Sequence, residues 1–299
     1  MEFGRVNSED LDSINVELPA DHPETATHLN GQRLPDAKVF VGCAKWGRKD
    51  WVGIVYPPKT KESDFLSHYA QHFNSLELNA TFYKIPSRRQ TQLWSEKVGS
   101  DFVFCPKFSQ SITHIRRLKN AKEATDRFLD GVSGFGANLG PLFLMPHPAT
   151  GPKALDTIRD FFEQLPAGFR VFTELRHPDW FTAAEASDGI ADILRSHNAG
   201  LAITDAVGRR DCLHMRLTSP EAFIRFVGNG LHPTDYQRID AWVERIRQWM
   251  DRGIEKVYFF MHQHDELHSP ILCKYLIEQL NAKCAISLNV PHFQNDPPA

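Results

Sequence analysis

The chain has 299 residues, with 34 Lys and Arg against 37 Asp and Glu and 41% hydrophobic side chains. That content supports a sizeable core and excludes wholesale disorder, and no run of about eighteen apolar residues is present to span a bilayer. The charge is uneven: residues 1–37 hold eight acidic and two basic side chains, a balance of −6, and the remainder sums to +3. So small a positive excess does not announce a polyanion partner, which needs clustered charge.

Residues 1–37, with Phe3 as their one aromatic, read as an acidic tail, flexible or loosely docked. Residues 38–290 read as a single domain, because no Gly-, Ser- or Pro-rich linker divides them, and 291–299 as a short C-terminal tail. Short apolar runs predict strands at Val39–Cys43, Ser75–Asn79, Phe102–Lys107, Leu142–Pro146, Val171–Leu175, Leu201–Asp205, Phe223–Val227 and Val257–Met261. Helical spacing falls between them. Phe65, Tyr69 and Phe73 recur every fourth residue; further stripes follow at Arg88–Lys97, Ala121–Val132, Leu155–Leu165 and around Ile190–Leu194. The clearest runs from Tyr236 through Trp242 to Met250, and Pro270–Leu280 supplies the last. Eight strands alternating with helices predict parallel pairing, closed into a (β/α)8 TIM barrel. The rival, an open doubly wound sheet, has no GxGxxG or GxxxxGK[ST] turn after any strand to support it.

Five separated cysteines without a CxxC pair, and no basic segment leading into an apolar run, lead to an expectation of reduced thiols and a cytoplasmic location. No motif names a cofactor.

In such a barrel the working groups sit at the carboxyl ends of the strands. Those ends offer Glu77 and Asn79, Lys107, Glu174 and Arg176, Asp205, Arg225, and then His262 and His264. Each alone is explained by solvation; together they describe a polar pocket with alternating signs, suited to a small polar or anionic ligand. Glu77 and Glu174 are the candidate acid and base if their surroundings separate them. Lys107 is a Schiff-base amine or, more simply, the counter-ion of one of them. Arg176 and Arg225 suit carboxylate or phosphate. His114 and Asp205 complete the catalytic candidates, while Trp46, Tyr83 and Trp180 offer stacking walls or a seal. Whether His262, His264 and His268 bind metal stays open on spacing alone.

The same residues resemble the YecE-like family, domain of unknown function 72. The resemblance rests on VGCAKWGRKDWVGIVYPP (41–58), FNSLELNATFYKIPSRRQTQLW (73–94), FVFCPKFSQSITH (102–114), FTELRHPDWF (172–181) and Asp205, and covers roughly residues 38–285. It implies a (β/α)8 barrel and the pocket positions above, and it brings no established reaction. Three places depart from the family pattern: Val227 stands where a histidine is usual, His262 and its neighbours where two asparagines are, and Met145 where a glutamine is. An enzyme acting by acid–base chemistry on a phosphorylated or carbohydrate-like substrate is the leading expectation. A non-catalytic ligand-binding barrel is the alternative. A nucleic-acid-related barrel, using Arg88, Arg89, Arg116, Arg117, Lys119 and Lys122, is a further one, disfavoured by modest charge clustering.

Overall fold

The computed structural model describes residues 3–182, 184–294 and 296. All eight predicted strands form: β1 (Lys38–Cys43), β2 (Ser75–Leu78), β3 (Val103–Pro106), β4 (Leu142–Leu144), β5 (Val171–Thr173), β6 (Ala199–Ala206), β7 (Glu221–Gly228) and β8 (Lys256–Gln263). They do not close into the expected (β/α)8 TIM barrel. One parallel sheet in the order β1-β8-β7-β6-β5-β4 curls as an open half-barrel, and β2 and β3 form a separate two-stranded ladder.

The two seams have physical causes. Between β1 and β2, side chains take the ladder's place. Asn74 accepts from Val41 N–H at 2.8 Å and donates to Val39 C=O at 2.9 Å. The Tyr69 hydroxyl accepts from Cys43 N–H at 2.7 Å and donates to Ser75 C=O at 2.9 Å. The β1 edge is therefore satisfied without a backbone partner from β2. The chains still approach closely: a Cβ on Gly42 would lie 1.9 Å from the Ser75 carbonyl oxygen, so this position accepts only glycine. Between β3 and β4 no continuous ladder forms, because β4 spends its three residues pairing with β5. Isolated contacts replace it, Gly140 N–H to Phe104 C=O at 2.8 Å and Phe108 N–H to Phe143 C=O at 2.9 Å.

Alternation along each strand sorts two apolar layers. Phe40, Cys105, Phe143, Met145, Phe172, Ala202, Phe223, Tyr258 and Phe260 pack together on the concave side. The opposite faces pack on the helices, chiefly Phe65–His72, Lys122–Ser133, Leu155–Glu163, Ala184–Ser196, Pro233–Asp251 and Ser269–Cys284. In the long helix, Ile239, Trp242, Val243, Ile246, Trp249 and Met250 are buried, as its apolar spacing requires.

The described part of the N-terminal segment lies against the body, and its acids meet basic partners. Asp21 pairs with Arg245 at 2.6 Å and accepts from the Trp249 indole, and Glu24 pairs with Arg216 and Arg195. Leu11 and Val16 bury against Val207 beyond β6. The Phe3 ring stacks on Arg176 and Arg209, 4.1 and 4.7 Å from their guanidinium carbons. No helix among the described residues is long and apolar enough to cross a membrane.

Candidate functional site

Strand parity sets which side chains converge. Phe223 faces inward on β7, and therefore so does Arg225; Phe172 on β5 carries Glu174 with it; Cys105 carries Lys107; Tyr258 and Phe260 carry His262. The result is a buried ion cluster at the carboxyl ends of the strands. Arg225 donates from Nε and Nη2 to Glu77, at 2.8 and 2.9 Å, and from Nη1 to Glu174. Arg176 Nε donates to the other Glu174 oxygen at 2.9 Å. Asn79 donates to Glu77 Oε1 at 2.8 Å. His262 lies between carboxylates, Nε2 3.1 Å from Glu77 and Nδ1 3.4 Å from Glu266.

These partners decide the ionisation. Burial would raise the Glu77 carboxyl, but Arg225 and His262 outweigh it and hold it well below the usual carboxylate range. Glu174 follows the same logic: burial opposes, Arg176 and Arg225 prevail, and its value falls to about 2. His262 runs the other way. Burial would lower it, yet Glu77 and Glu266 raise it and favour the imidazolium. Both glutamates are thus fixed as anions bound to arginine, a poor state for an acid and a weak one for a base.

Lys107 stands apart. Its amine lies over the Phe82 ring at 4.7 Å and near the Phe143 ring at 5.4 Å. Among the described residues it forms no ion pair, because the arginines already hold both glutamates. The side chain is 8% exposed. Burial first, then the Arg225 charge, push its amine down to about 7, against the pull of Glu77 and Glu174. His114 packs edge-on against the same Phe82 ring, at 4.9 Å between centroids, with His147 5.2 Å away. Burial and then the positive side of His147 and Lys107 lower His114 to about 4, leaving it neutral at pH 7.

The other expected residues divide. Asn79, Trp46 and Tyr83 share one cavity of about 410 Å³ beside the cluster, walled further by Ala44, Phe65 and Leu78. Trp180 is buried, its indole donating to Thr150 C=O at 2.7 Å, and forms no wall of that cavity. Asp205 is not brought to the cluster. It faces the helix layer, bound by Arg210 at 2.6 Å, Arg238 at 3.0 Å and the Trp242 indole at 2.7 Å. His264 and His268 line a separate cavity with Asn7, Asn229 and Asp265, away from the inward-turned His262. No group of three or more His, Cys, Asp or Glu able to hold a metal occurs among the described residues. Glu266, four residues beyond His262, and the Phe143 ring beside Lys107 were not among the expected site residues. Parity from Phe143 and the i, i+4 spacing of His262 and Glu266 were the available signals.

Fold and cluster together define an α/β protein of parallel strands with a charged site at their carboxyl ends. The chain belongs to the family described as "Protein of unknown function DUF72", which matches residues 40–295. It is similar to the UPF0759 protein YecE of Escherichia coli (strain K12), 26% identical over 260 residues that cover 81% of this chain and 92% of that protein. A shorter stretch of 92 residues is 34% identical to the UPF0759 protein YunF of Bacillus subtilis, covering 31% of this chain and 32% of that one. Among solved structures, a DUF72 family protein of Enterococcus faecalis superposes with a TM-score of 0.65 at 15% identity, covering 82% of this chain and 98% of that one. Another from Thermotoga maritima gives 0.61 at 22%, with the same coverage of both chains.

Proposed function

We propose that this protein is an enzyme acting on a small polar, anionic substrate at the carboxyl ends of the strands, with Lys107 rather than a glutamate as its reactive group. The observation that carries this reading is the division of labour within one cluster. Arg225 neutralises Glu77 and Glu174, whereas the adjoining buried Lys107 amine has no carboxylate of its own. An amine near 7 is half neutral at physiological pH and serves equally as base and acid. Arg176, with Nε committed to Glu174 and its face against Phe3, keeps its terminal amino groups for a ligand's carboxylate or phosphate.

The ionised, arginine-bound state of both glutamates favours a second reading, a site that binds the same anion without turning it over. Thermal melting with inorganic phosphate, pyruvate and citrate tests the anion site. Stabilisation of the wild-type chain that Arg176→Ala abolishes is expected; no stabilisation by any anion overturns both readings. Deuterium uptake from solvent into bound pyruvate, lost in Lys107→Met while binding persists, separates the enzyme from the binder.

A further inference from the structure

We infer that Lys107 is an imine-forming nucleophile and that the site takes small carbonyl compounds bearing a carboxylate or phosphate. This rests on the site proposed above and specifies its substrate class.

Three independent features of the geometry meet at this side chain. The amine sits at the end of β3 on the concave side, between the rings of Phe82 and Phe143, where water competes poorly for its lone pair. Its charged form has no ion pair to keep it protonated, and the neighbouring Arg225 and Arg176 repel that charge. A neutral imidazole stands against the same Phe82 ring. The tautomer of that imidazole follows from its bonds. The Thr113 hydroxyl donates to Ser109 C=O at 3.1 Å, so its contact of 2.9 Å with His114 Nδ1 is one in which the ring N–H donates. Nε2 is then left with a free lone pair as a base.

The chemistry balances without any oxidant. The neutral Lys107 nitrogen attacks the carbonyl carbon and the C=O π pair moves onto oxygen, which becomes a hydroxyl as His114 Nε2 relays a proton from nitrogen. The nitrogen lone pair then forms the C=N bond as that hydroxyl departs as water, completed by a second proton that His114 Nε2 takes up from solvent. A protonated imine and one water result. Arg176 holds the substrate's anion, and the fixed glutamates Glu77 and Glu174 face the new iminium charge.

Borohydride trapping on the full chain tests this. The protein is incubated at pH 7 with pyruvate or dihydroxyacetone phosphate, reduced, digested and mapped by mass. Lys107 is expected to carry the probe's mass less one oxygen, at an occupancy at least about tenfold above the mean of the remaining lysines, whose amines are almost wholly protonated at that pH. Lys107→Met loses the adduct. Should that variant fail to fold, the wild-type map read at pH 6 and pH 8.5 decides alone, with Lys107 the dominant site at both. Adducts spread evenly over exposed lysines, with anion-induced stabilisation intact, overturn the imine and leave the site standing. Loss of stabilisation and adduct together overturns both.

Discussion

Replacing Arg225 with Met keeps most of the side-chain volume and removes the guanidinium that Glu77 and Glu174 share. Arg225 is 1% exposed and the two glutamates no more so, which leaves the orphaned carboxylates no solvent to turn to. Removing one partner of a buried pair costs about 3–5 kcal/mol. For a domain of this size, at about 2–4 °C per kcal/mol, melting falls by roughly 6–20 °C. The pH dependence identifies the cause. Glu174 is depressed to about 2 in the fold, so its stabilisation, on the order of 3 kcal/mol, is complete at neutral pH and is lost as pH falls from about 4.5 toward 2. Glu77 shifts in the same direction. Without Arg225 the folded values climb back, so the gap between wild type and Arg225→Met is widest at pH 7 and narrows below pH 4.5. Urea unfolding followed by circular dichroism at pH 7 and at about pH 3.5 measures it. A gap below about 1 kcal/mol at pH 7, or one unchanged at the acidic pH, refutes a cluster held by charge.

Lys107→Met is expected to stabilise the fold at pH 6. A lysine depressed to about 7 destabilises the folded state wherever it must be charged, and that penalty fades as pH rises from 7 toward 10; urea midpoints at pH 6 and pH 9 check the sign. Asp205→Ala removes the shared acceptor of Arg210, Arg238 and Trp242, so a loss of about 3–5 kcal/mol is expected, with the trapping of Lys107 unchanged in the surviving folded fraction. Phe3→Ala strips the ring from Arg176 and Arg209 at a cost of roughly 1 kcal/mol and bares Arg176. Faster trapping of Lys107 in this variant is the expected readout, measured as the initial rate of adduct formation.

The strands were legible because most are short apolar runs rich in Val, Ile, Leu and Phe, and the eight positions hold in the structure. Closure was not legible. It depended on whether β1 meets β2 through backbone or through side chains, and Asn74 and Tyr69 take the backbone groups of β1 for themselves. An asparagine before a strand and a tyrosine on a helical stripe look ordinary in sequence, so nothing there separates an open half-barrel from a closed ring. The short β4 is a similar case, since the apolar run continues to Pro146 while only Leu142–Leu144 pair.

The site was legible to the extent that parity was applied. Counting by twos from the inward Phe172 gives Glu174 and Arg176, and from Phe223 gives Arg225. The same count from the inward Ala202 gives Thr204 and leaves Asp205 on the helix side. Its place at the strand end and its match to a family position leave open which face of the sheet it takes. Ionisation was a different kind of problem. Glutamates at the ends of β2 and β5 looked like an acid and a base, yet the choice belongs to the nearest cation. One arginine spanning both carboxylates leaves Lys107 as the buried amine without a pair, so the reactive group is set by which cation the glutamates have already bound.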